Sequence, residues 1–179
     1  VRFEPGNTTT VYVGSPAGGI WKSTNGGTTY TILNDFLSSI GVTDLAIDPN
    51  NTNNLFIATG DGDAGDTYSI GVMKSTDGGL TWQTTGLTWN ASQGRTISRL
   101  LMNPNNSSIM MAATSNGIYR TTDGGTTWNV AANQTGYRDM EFKPGDPTVV
   151  YACTDQFYMS TNSGQSFSNI TSGLPTGDV

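Results

Sequence analysis

The chain of 179 residues contains no histidine and a single cysteine, Cys153. One cysteine cannot form an internal disulfide framework or a cysteine-rich zinc site. A nucleophilic role for Cys153 is disfavoured as well, because the chain has no histidine to pair with it. Since Cys153 ends an apolar run that starts at Val149, we expect it to be a buried and unreactive thiol.

Charge is also scarce: charged residues make up 12% of the chain, and the net charge is −6. The lysines and arginines are scattered and form no basic stripe, so we expect neither nucleic acid nor an anionic membrane surface as a partner. No apolar run approaches the length of a membrane span, so membrane insertion is not expected. Sustained helical periodicity is absent too, whereas Gly, Thr, Asn and Ser abound, which favours an all-β protein with many polar turns.

The chain contains four copies of one eight-residue sequence motif, which we call the hairpin motif. The copies are Ser23-Thr-Asn-Gly-Gly-Thr-Thr-Tyr30, Ser75-Thr-Asp-Gly-Gly-Leu-Thr-Trp82, Thr121-Thr-Asp-Gly-Gly-Thr-Thr-Trp128 and Ser160-Thr-Asn-Ser-Gly-Gln-Ser-Phe167. Each copy follows a short apolar run and ends on an aromatic residue. The motif therefore predicts the turn of a β-hairpin with a strand on either side.

Each position of the motif suits a structural role in such a turn. The third residue, an Asp or Asn, is expected to bond backbone N–H groups one or two residues further on. Hydroxyls of the returning strand are expected to tie the turn, and the final aromatic residue to pack inside or between repeats. These structural residues are Asn25, Asp77, Asp123, Asn162, Thr29, Thr81, Thr127, Ser166, Tyr30, Trp82, Trp128 and Phe167.

A second landmark precedes each motif, namely a proline turn between two strand-like runs. Its copies are Phe3-Glu-Pro-Gly-Asn7, Ile47-Asp-Pro-Asn-Asn51, Met102-Asn-Pro-Asn-Asn106 and Phe142-Lys-Pro-Gly-Asp146. Each repeat thus contains four short strands, and the motifs start 52, 46 and 39 residues apart. Four-stranded antiparallel repeats of roughly 40–50 residues are typical of β-propeller blades.

We therefore predict one domain, residues 1–179, that is an all-β propeller segment of about four antiparallel blades. The expected blades are residues 1–36, 37–90, 91–134 and 135–172, each with the hairpin motif between its third and fourth strands. Residues 173–179 are expected to begin a further blade, because Ser172-Gly-Leu-Pro-Thr-Gly-Asp-Val179 is similar to Ser38-Ser-Ile-Gly-Val42. The segment is accordingly expected to belong to a larger propeller.

The motif resembles the Asp-box, or bacterial neuraminidase repeat, Ser/Thr-x-Asp-x-Gly-x-Thr-Trp. In addition, Gly18-Gly-Ile-Trp-Lys-Ser-Thr24 and Gly60-Asp-Gly-Asp-Ala-Gly-Asp-Thr-Tyr-Ser69 resemble the large sortilin-like exported proteins of Bacteroidetes. Those proteins are often labelled glycosyl hydrolases and often carry a type IX secretion tail. The resemblance implies a secreted or cell-surface bacterial parent that contains further blades or domains.

Two enzyme branches of these propellers can be compared with the chain. Tyr12-Val-Gly-Ser-Pro-Ala-Gly-Gly-Ile-Trp21 resembles the xyloglucanases, but Pro16 stands where they carry a catalytic Asp. Glycoside hydrolysis needs two carboxylates roughly 5–9.5 Å apart across the sugar, and a partner would have to lie in other blades. Sialidases need an arginine triad and a Tyr–Glu pair; no such arrangement stands out, and Arg95 and Arg99 suit solvated salt bridges.

The longest insertion, residues 60–70 between the second and third strands of repeat two, is the first candidate site. Asp61, Asp63 and Asp66 offer the hard oxygen atoms that calcium prefers, so this loop either binds calcium or is a solvated polar loop. Tyr68 in this loop and Trp89 in the loop 88–94 are candidate binding residues. Trp89 lies outside the repeat pattern and is either a platform for sugar stacking or a wedge between blades.

The sequence thus favours an extracellular, non-catalytic scaffold or recognition module for glycan or protein partners, with no catalytic residue assigned. The alternative is a glycoside hydrolase of the xyloglucanase type whose active site is completed by blades outside this chain. Peptide capture inside the ring, as in sortilins, is a further class that depends on other blades. No cofactor other than calcium is expected.

Overall fold

A computed structural model describes residues 1–33, 36–37, 41–62 and 67–173. Within them the chain forms four separate four-stranded antiparallel sheets, which follow one another along the sequence and which we number 1 to 4. In every sheet the strands lie in chain order, so each sheet is a simple meander. These sheets confirm the all-β fold with four-stranded antiparallel blades and a hairpin motif between the third and fourth strand of each.

The strands of sheets 1 and 2 have the following bounds. Sheet 1 comprises β1 (Arg2–Glu4), β2 (Asn7–Ser15), β3 (Gly19–Ser23) and β4 (Thr31–Ile32). Sheet 2 comprises β5 (Val42–Ile47), β6 (Leu55–Thr59), β7 (Gly71–Ser75) and β8 (Gln83–Thr88).

Sheets 3 and 4 repeat the arrangement. Sheet 3 comprises β9 (Ile97–Asn103), β10 (Asn106–Thr114), β11 (Gly117–Thr121) and β12 (Asn129–Ala132). Sheet 4 comprises β13 (Asp139–Lys143), β14 (Asp146–Cys153), β15 (Phe157–Ser160) and β16 (Ser168–Asn169). Two short 3₁₀ turns, Ala91–Gln93 and Thr171–Gly173, follow the last strands of sheets 2 and 4.

The antiparallel order sorts the connections onto two opposite faces of the molecule. The proline turns and the hairpin motifs lie at one end of every sheet. The connections between second and third strands, and those between successive sheets, lie at the other end, which we call the loop face. The first strands, β1, β5, β9 and β13, are neighbours across successive sheets; they are the inner strands, next to the axis of the propeller.

Three apolar clusters form the core, and each lies between two successive sheets. Leu45, Leu55 and Ile57 of sheet 2 pack against Tyr12 and Ile20 of sheet 1. Sheets 2 and 3 enclose the second cluster, and sheets 3 and 4 the third. Alternate residues of a strand point to opposite faces of the sheet. Sheets 2 and 3 therefore each bury one set of side chains against the sheet before them and another set against the sheet after them.

Three hydrogen bonds of the hairpin motif recur in all four copies, and a fourth reverses its direction where Asn stands in place of Asp. In sheet 2, Ser75 Oγ donates to Asp77 Oδ1 at 2.7 Å and accepts the Gly79 N–H at 2.8 Å. Asp77 Oδ1 accepts the Thr81 N–H at 2.9 Å, and Thr81 Oγ1 donates to Asp77 Oδ2 at 2.5 Å. The Asp therefore caps an N–H four residues further on, not one or two residues as the sequence pattern suggested, because the motif is a longer loop than a simple Asx turn.

The aromatic residue of each motif points towards the preceding sheet. Trp82 is 8% exposed, lies in the cluster between sheets 1 and 2 and donates its indole N–H to Leu33 O at 3.1 Å. Trp128 and Phe167 border the second and third clusters in the same way. Tyr30 is the exception to the expected packing: it is 43% exposed, because no described sheet precedes sheet 1.

Cys153 also differs from expectation, since it is only half-buried. It ends β14 and lies opposite Asp139 and Phe157 in the sheet register. Its side chain is on the face of sheet 4 that points away from sheet 3, and the apolar run that contains it buries only alternate residues.

Candidate functional site

A cavity of about 510 Å³ opens on the loop face, where loops of all four sheets converge. Sheet 1 contributes Pro16, and the strand starts and loops of sheets 2, 3 and 4 contribute the rest of its lining. That lining consists of Pro16, Thr43, Asp61, Gly62, Thr96, Ser98, Gly136, Tyr137 and Arg138. A concave site of this size, lined by several converging polar groups, is suited to binding a small ligand or a segment of a polymer.

Among the described residues that line this cavity, Asp61 is the single acidic one, and it is 3% exposed. Its position is fixed by the base of the loop 60–70. The Asp61 N–H donates to Thr67 O at 2.7 Å, and the Gly60 N–H donates to Gly41 O at 2.8 Å. The sequence proposed Asp61 as a residue of an acidic loop, and the fold places it, buried, in the lining of the cavity.

Buried hydroxyls close the same loop below Asp61. Thr59 and Ser69 are fully buried, and their hydroxyl oxygens lie 3.2 Å apart. Thr59 Oγ1 donates to Gly71 O at 2.7 Å and accepts the Ile70 N–H at 2.9 Å. Ser69 Oγ accepts the Gly71 N–H at 2.9 Å. The loop therefore leaves and re-enters sheet 2 through a hydrogen-bonded neck that holds Asp61 in place.

Close backbone packing at Gly41 brings the loops of sheets 1 and 2 together. A Cβ at Gly41 would lie 2.3 Å from Pro16 O and 3.0 Å from Gly60 O. Only glycine leaves room for this approach. Gly62 is similarly tight, since its Cβ would lie 3.1 Å from Ile97 O in sheet 3. Glycines thus allow three successive sheets to approach one another at the cavity.

Two hydroxyls in the cavity wall join neighbouring elements. Thr43 Oγ1 donates to Gly60 O at 2.8 Å, which ties β5 to the neck of the loop. Ser98 Oγ lies 2.7 Å from Tyr137 O and 3.2 Å from Ala113 O, so it links β9 to the segment that leads into β13. Both oxygen atoms keep lone pairs that can accept hydrogen bonds.

Tyr137 and Arg138 form the wall that sheet 4 contributes. Tyr137 is buried, and its ring meets that of Tyr158 edge to face with 5.5 Å between centroids. Burial, reinforced by Tyr158, raises the pKa of Tyr137 to about 12, so its phenol stays neutral and donates to Gln134 Oε1. Arg138 is exposed and is held by its backbone N–H, which donates to Cys153 O at 2.9 Å.

The two aromatic candidates, Trp89 and Tyr68, are not part of the cavity lining. Trp89 is half-buried against the cluster between sheets 2 and 3 and meets Tyr119 edge to face, 6.0 Å between centroids. The Arg95 guanidinium lies 5.2 Å from the Trp89 ring centroid. Tyr68 is 44% exposed, and its ring lies next to Gly94. These contacts favour the wedge role for Trp89 and leave Tyr68 available at the surface.

Asp63 and Asp66, the other two acids proposed for calcium, lie outside the described residues. Within the described parts of the chain, no cluster of three or more acidic or other metal-binding side chains is present. The calcium site at Asp61, Asp63 and Asp66 therefore stays a prediction.

An ionic row along the inner strands was missed by the sequence analysis. Asp44 Oδ1 accepts from Arg2 at 2.8 Å, and Asp44 Oδ2 accepts the Leu100 N–H at 2.9 Å. Arg99 lies 3.6 Å from Asp44 and 3.3 Å from Asp139, and it also pairs with Glu141. The row thus links β1, β5, β9 and β13. Alternating signs on successive inner strands become visible only once the strands are aligned in space.

No protein-family model and no curated protein matches the chain. Solved structures do. An ancestral GH74 enzyme is 24% identical, with 93% of this chain and 23% of that chain covered and a TM-score of 0.75. A GH74 xyloglucanase from Xanthomonas campestris is 20% identical, with 98% and 30% covered and a TM-score of 0.74. YCF48 bound to D1 peptide is 15% identical, with 93% and 53% covered and a TM-score of 0.64.

These likenesses are to propellers and concern the fold. The chain spans 23% of the ancestral GH74 enzyme and 30% of the Xanthomonas campestris xyloglucanase, so each has further structure beyond the matched part. Among the described residues, no helix is both long and apolar enough to cross a membrane. The chain is thus an all-β segment with the fold of a β-propeller.

Proposed function

We propose that the chain is a non-catalytic recognition module that binds a glycan segment in the cavity on its loop face. The observation that carries this proposal is the burial of Asp61 in a cavity of about 510 Å³ that is lined with threonine and serine hydroxyls and bordered by Arg138. A carboxylate paired with neutral hydroxyls can bond the vicinal hydroxyls of a sugar, and charge-assisted hydrogen bonds are the stronger ones. Tyr68, exposed at the neighbouring surface, supplies an aromatic face for a sugar ring.

A protein partner is the weaker form of this proposal. It is supported by the resemblance in fold to YCF48, whose structure was solved with a bound peptide. The hydroxyl groups of Thr43, Thr96 and Ser98 in the cavity lining favour a glycan, because each can both donate a hydrogen bond to a sugar hydroxyl and accept one from it. We further propose that the protein acts outside a bacterial cell, secreted or at the surface, and that further blades of the same polypeptide accompany this segment.

The binding proposal is tested with a panel of neutral and acidic polysaccharides that includes xyloglucan. Calorimetry should detect a ligand, and Asp61→Asn should weaken its binding by about tenfold or more, because a hydrogen bond to a charged group contributes about 1.5–3 kcal/mol. Asp155→Asn is the matched control, since Asp155 is an exposed acid in the corresponding loop of sheet 4. Equal loss in both variants, or no ligand in the panel, would contradict the proposal.

Glycoside hydrolysis is the second candidate function, and the fold of the GH74 xyloglucanase supports it. In this chain Pro16 lines the cavity beside Asp61, so the described lining offers one carboxylate where hydrolysis needs two. The same panel should therefore be assayed for new reducing ends. Release that Asp61→Asn abolishes, while circular dichroism shows an intact fold, would replace the recognition proposal by the enzymatic one.

A further inference from the structure

The register of the strands allows the same position to be found in each sheet. One row of cross-strand partners is Asp44, Ala58 and Val72 in sheet 2. The corresponding row is Arg99, Ala113 and Ile118 in sheet 3, and Asp139, Cys153 and Phe157 in sheet 4. A second row begins with Ala46 and Phe56 in sheet 2, Leu101 and Met111 in sheet 3, and Glu141 and Tyr151 in sheet 4.

These two rows form the trailing face of each sheet, the face that points towards the next sheet. In sheets 2 and 3 the trailing face is completely covered: Phe56 is 3% exposed and Met111 is 0% exposed. In sheet 4 the corresponding Tyr151 is 44% exposed, and Phe157 is 47% exposed. Around them lies a shallow depression of about 150 Å³. Sheet 4 thus presents an apolar surface at the positions that its neighbours use for sheet-to-sheet packing.

The charge at the inner end of the first row alternates from sheet to sheet. Asp44 in sheet 2 is followed by Arg99 in sheet 3 and by Asp139 in sheet 4, and Arg99 pairs with both acids. Asp44, which has a sheet on either side, is also bonded by the Leu100 N–H of the next inner strand. Asp139 has the same local geometry, because it accepts the N–H of Met140 at 2.9 Å just as Asp44 accepts that of Leu45.

Asp139 differs from Asp44 in its exposure. The Asp139 side chain is 60% exposed and the neighbouring Glu141 is 58% exposed, whereas that of Asp44 is 9% exposed. Arg99 therefore lies on one side of Asp139 and Glu141, and the other side of these two acids is open to a second cation. Opposite charges at this separation attract more strongly once a neighbouring sheet excludes water.

We propose that the trailing face of sheet 4 docks a following four-stranded sheet of the same polypeptide, whose inner strand carries Arg or Lys opposite Asp139 and Glu141. This deepens the proposal that further blades accompany the segment, and it rests on that proposal. The occupant is a sheet of the same repeat because the same rows in sheets 2 and 3 are covered by such sheets. The cation follows from the alternation of Asp44, Arg99 and Asp139 along the inner strands.

Cys153 is a built-in reporter for this docking, since it is the chain's single cysteine and lies in the first row of the trailing face. A bulky maleimide should label Cys153 readily in the 179-residue chain. In a longer polypeptide that contains the proposed following sheet, the rate should fall by about tenfold or more, because burial leaves only rare opening events for the reagent. Asp139→Ala in the longer polypeptide should raise the rate again, whereas the control Asp155→Ala should not.

Three results would overturn the inference. Equal labelling in the short and long polypeptides would show that nothing covers the face. A following repeat without Arg or Lys at the predicted row, or a gene without such a repeat, would remove the proposed occupant. Concentration-dependent protection of the 179-residue chain, together with a dimer in sedimentation, would assign the face to a second copy. Glycan binding is measured separately, so its failure is distinguishable from failure of the docking proposal.

Discussion

At the scale of single residues, two hairpin motifs place a carboxylate and two place an amide at the same point of the turn. Asp77 and Asp123 accept a hydrogen bond from the hydroxyl four residues on, whereas Asn25 and Asn162 donate one to it. The N–H of that same residue is bonded in all four copies. Asn therefore replaces Asp without loss of any partner, and the two types differ in their response to pH.

The response to acid can be predicted from the pKa of the two carboxylates. Hydrogen bonds from Thr81 lower the pKa of Asp77 from its ordinary 3.8 to about 2, and those from Thr127 do the same for Asp123. A lowered pKa stabilises the fold above pH 3.8, and this contribution is lost as the pH falls towards 2. The double variant Asp77→Asn, Asp123→Asn should therefore lose less stability than the native chain between these pH values.

Urea unfolding at a series of pH values measures this difference. Asp155→Asn, which changes an acid outside the motifs, is the control. If both variants lose stability with falling pH just as the native chain does, the two motif carboxylates do not contribute to the pH dependence.

At the scale of the structural element, the hairpin motif joins successive sheets as well as strands. Its aromatic residue crosses to the preceding sheet, so its burial depends on whether that sheet is there. Trp82 packs against sheet 1 and bonds Leu33 O, while Tyr30 has the same position in the motif and is largely exposed. The same sequence signal thus has different energetic weight in different copies.

We expect Trp82→Ala to lower the free energy of unfolding by about 3–5 kcal/mol, the usual range for removing a buried aromatic side chain. Tyr30→Ala should cost about 0.5 kcal/mol or less, as is usual for a surface substitution. Denaturant unfolding of both variants gives the comparison. Similar losses in the two variants would mean that Tyr30 is also buried, which would contradict its exposure in sheet 1.

At the scale of the whole molecule, the ionic row connects the inner strands of all four sheets. Asp44 is its centre, with hydrogen bonds to the backbone of β5 and β9 and ion pairs to Arg2 and Arg99. Removing Asp44 also leaves the N–H groups of Leu45 and Leu100 without their acceptor, which is costlier than losing an exposed ion pair.

Asp44→Ala should therefore destabilise the chain by about 3 kcal/mol, and high salt should recover little of the loss because part of it comes from hydrogen bonds and the Asp44 side chain is only 9% exposed. Asp146→Ala, which breaks an exposed pair with Lys143 at 3.6 Å, should have a far smaller effect. Thermal unfolding at low and high salt tests both variants. A loss for Asp44→Ala as small as for Asp146→Ala would show that the row does not hold the sheets together.

Much of the architecture could be predicted from the sequence, because the repeat depends on interactions between residues that are close together in the chain. Glycines, Asp or Asn, and hydroxyls recur at fixed spacing in the motif, and proline marks the turn between the first and second strands of each repeat. These residues act on neighbours within a few positions in the chain. Four-stranded sheets and their order follow from this spacing without any knowledge of contacts between repeats.

The residues of the cavity could be predicted from the sequence only in part. Asp61 and Tyr68 stand out in the sequence because they lie in an insertion, but Thr43, Ser98 and Arg138 lie 18 to 77 residues from Asp61 and carry no local signal. Their convergence depends on the close approach of sheets at Gly41 and Gly62. Long-range packing of this kind cannot be inferred from spacing, since the register between successive sheets is set by side-chain volume.

The sequence by itself determined the repeat, the hairpins and the all-β class, since each depends on turn chemistry and on the alternation of side chains along a strand. Only the tertiary structure decided that Asp61 is buried in a shared cavity, that Tyr30 is exposed and Cys153 half-buried, and that Asp44, Arg99 and Asp139 form one ionic row. The physical reason is that burial and ion pairing depend on the distance between sheets, and that distance is fixed by packing across the whole molecule.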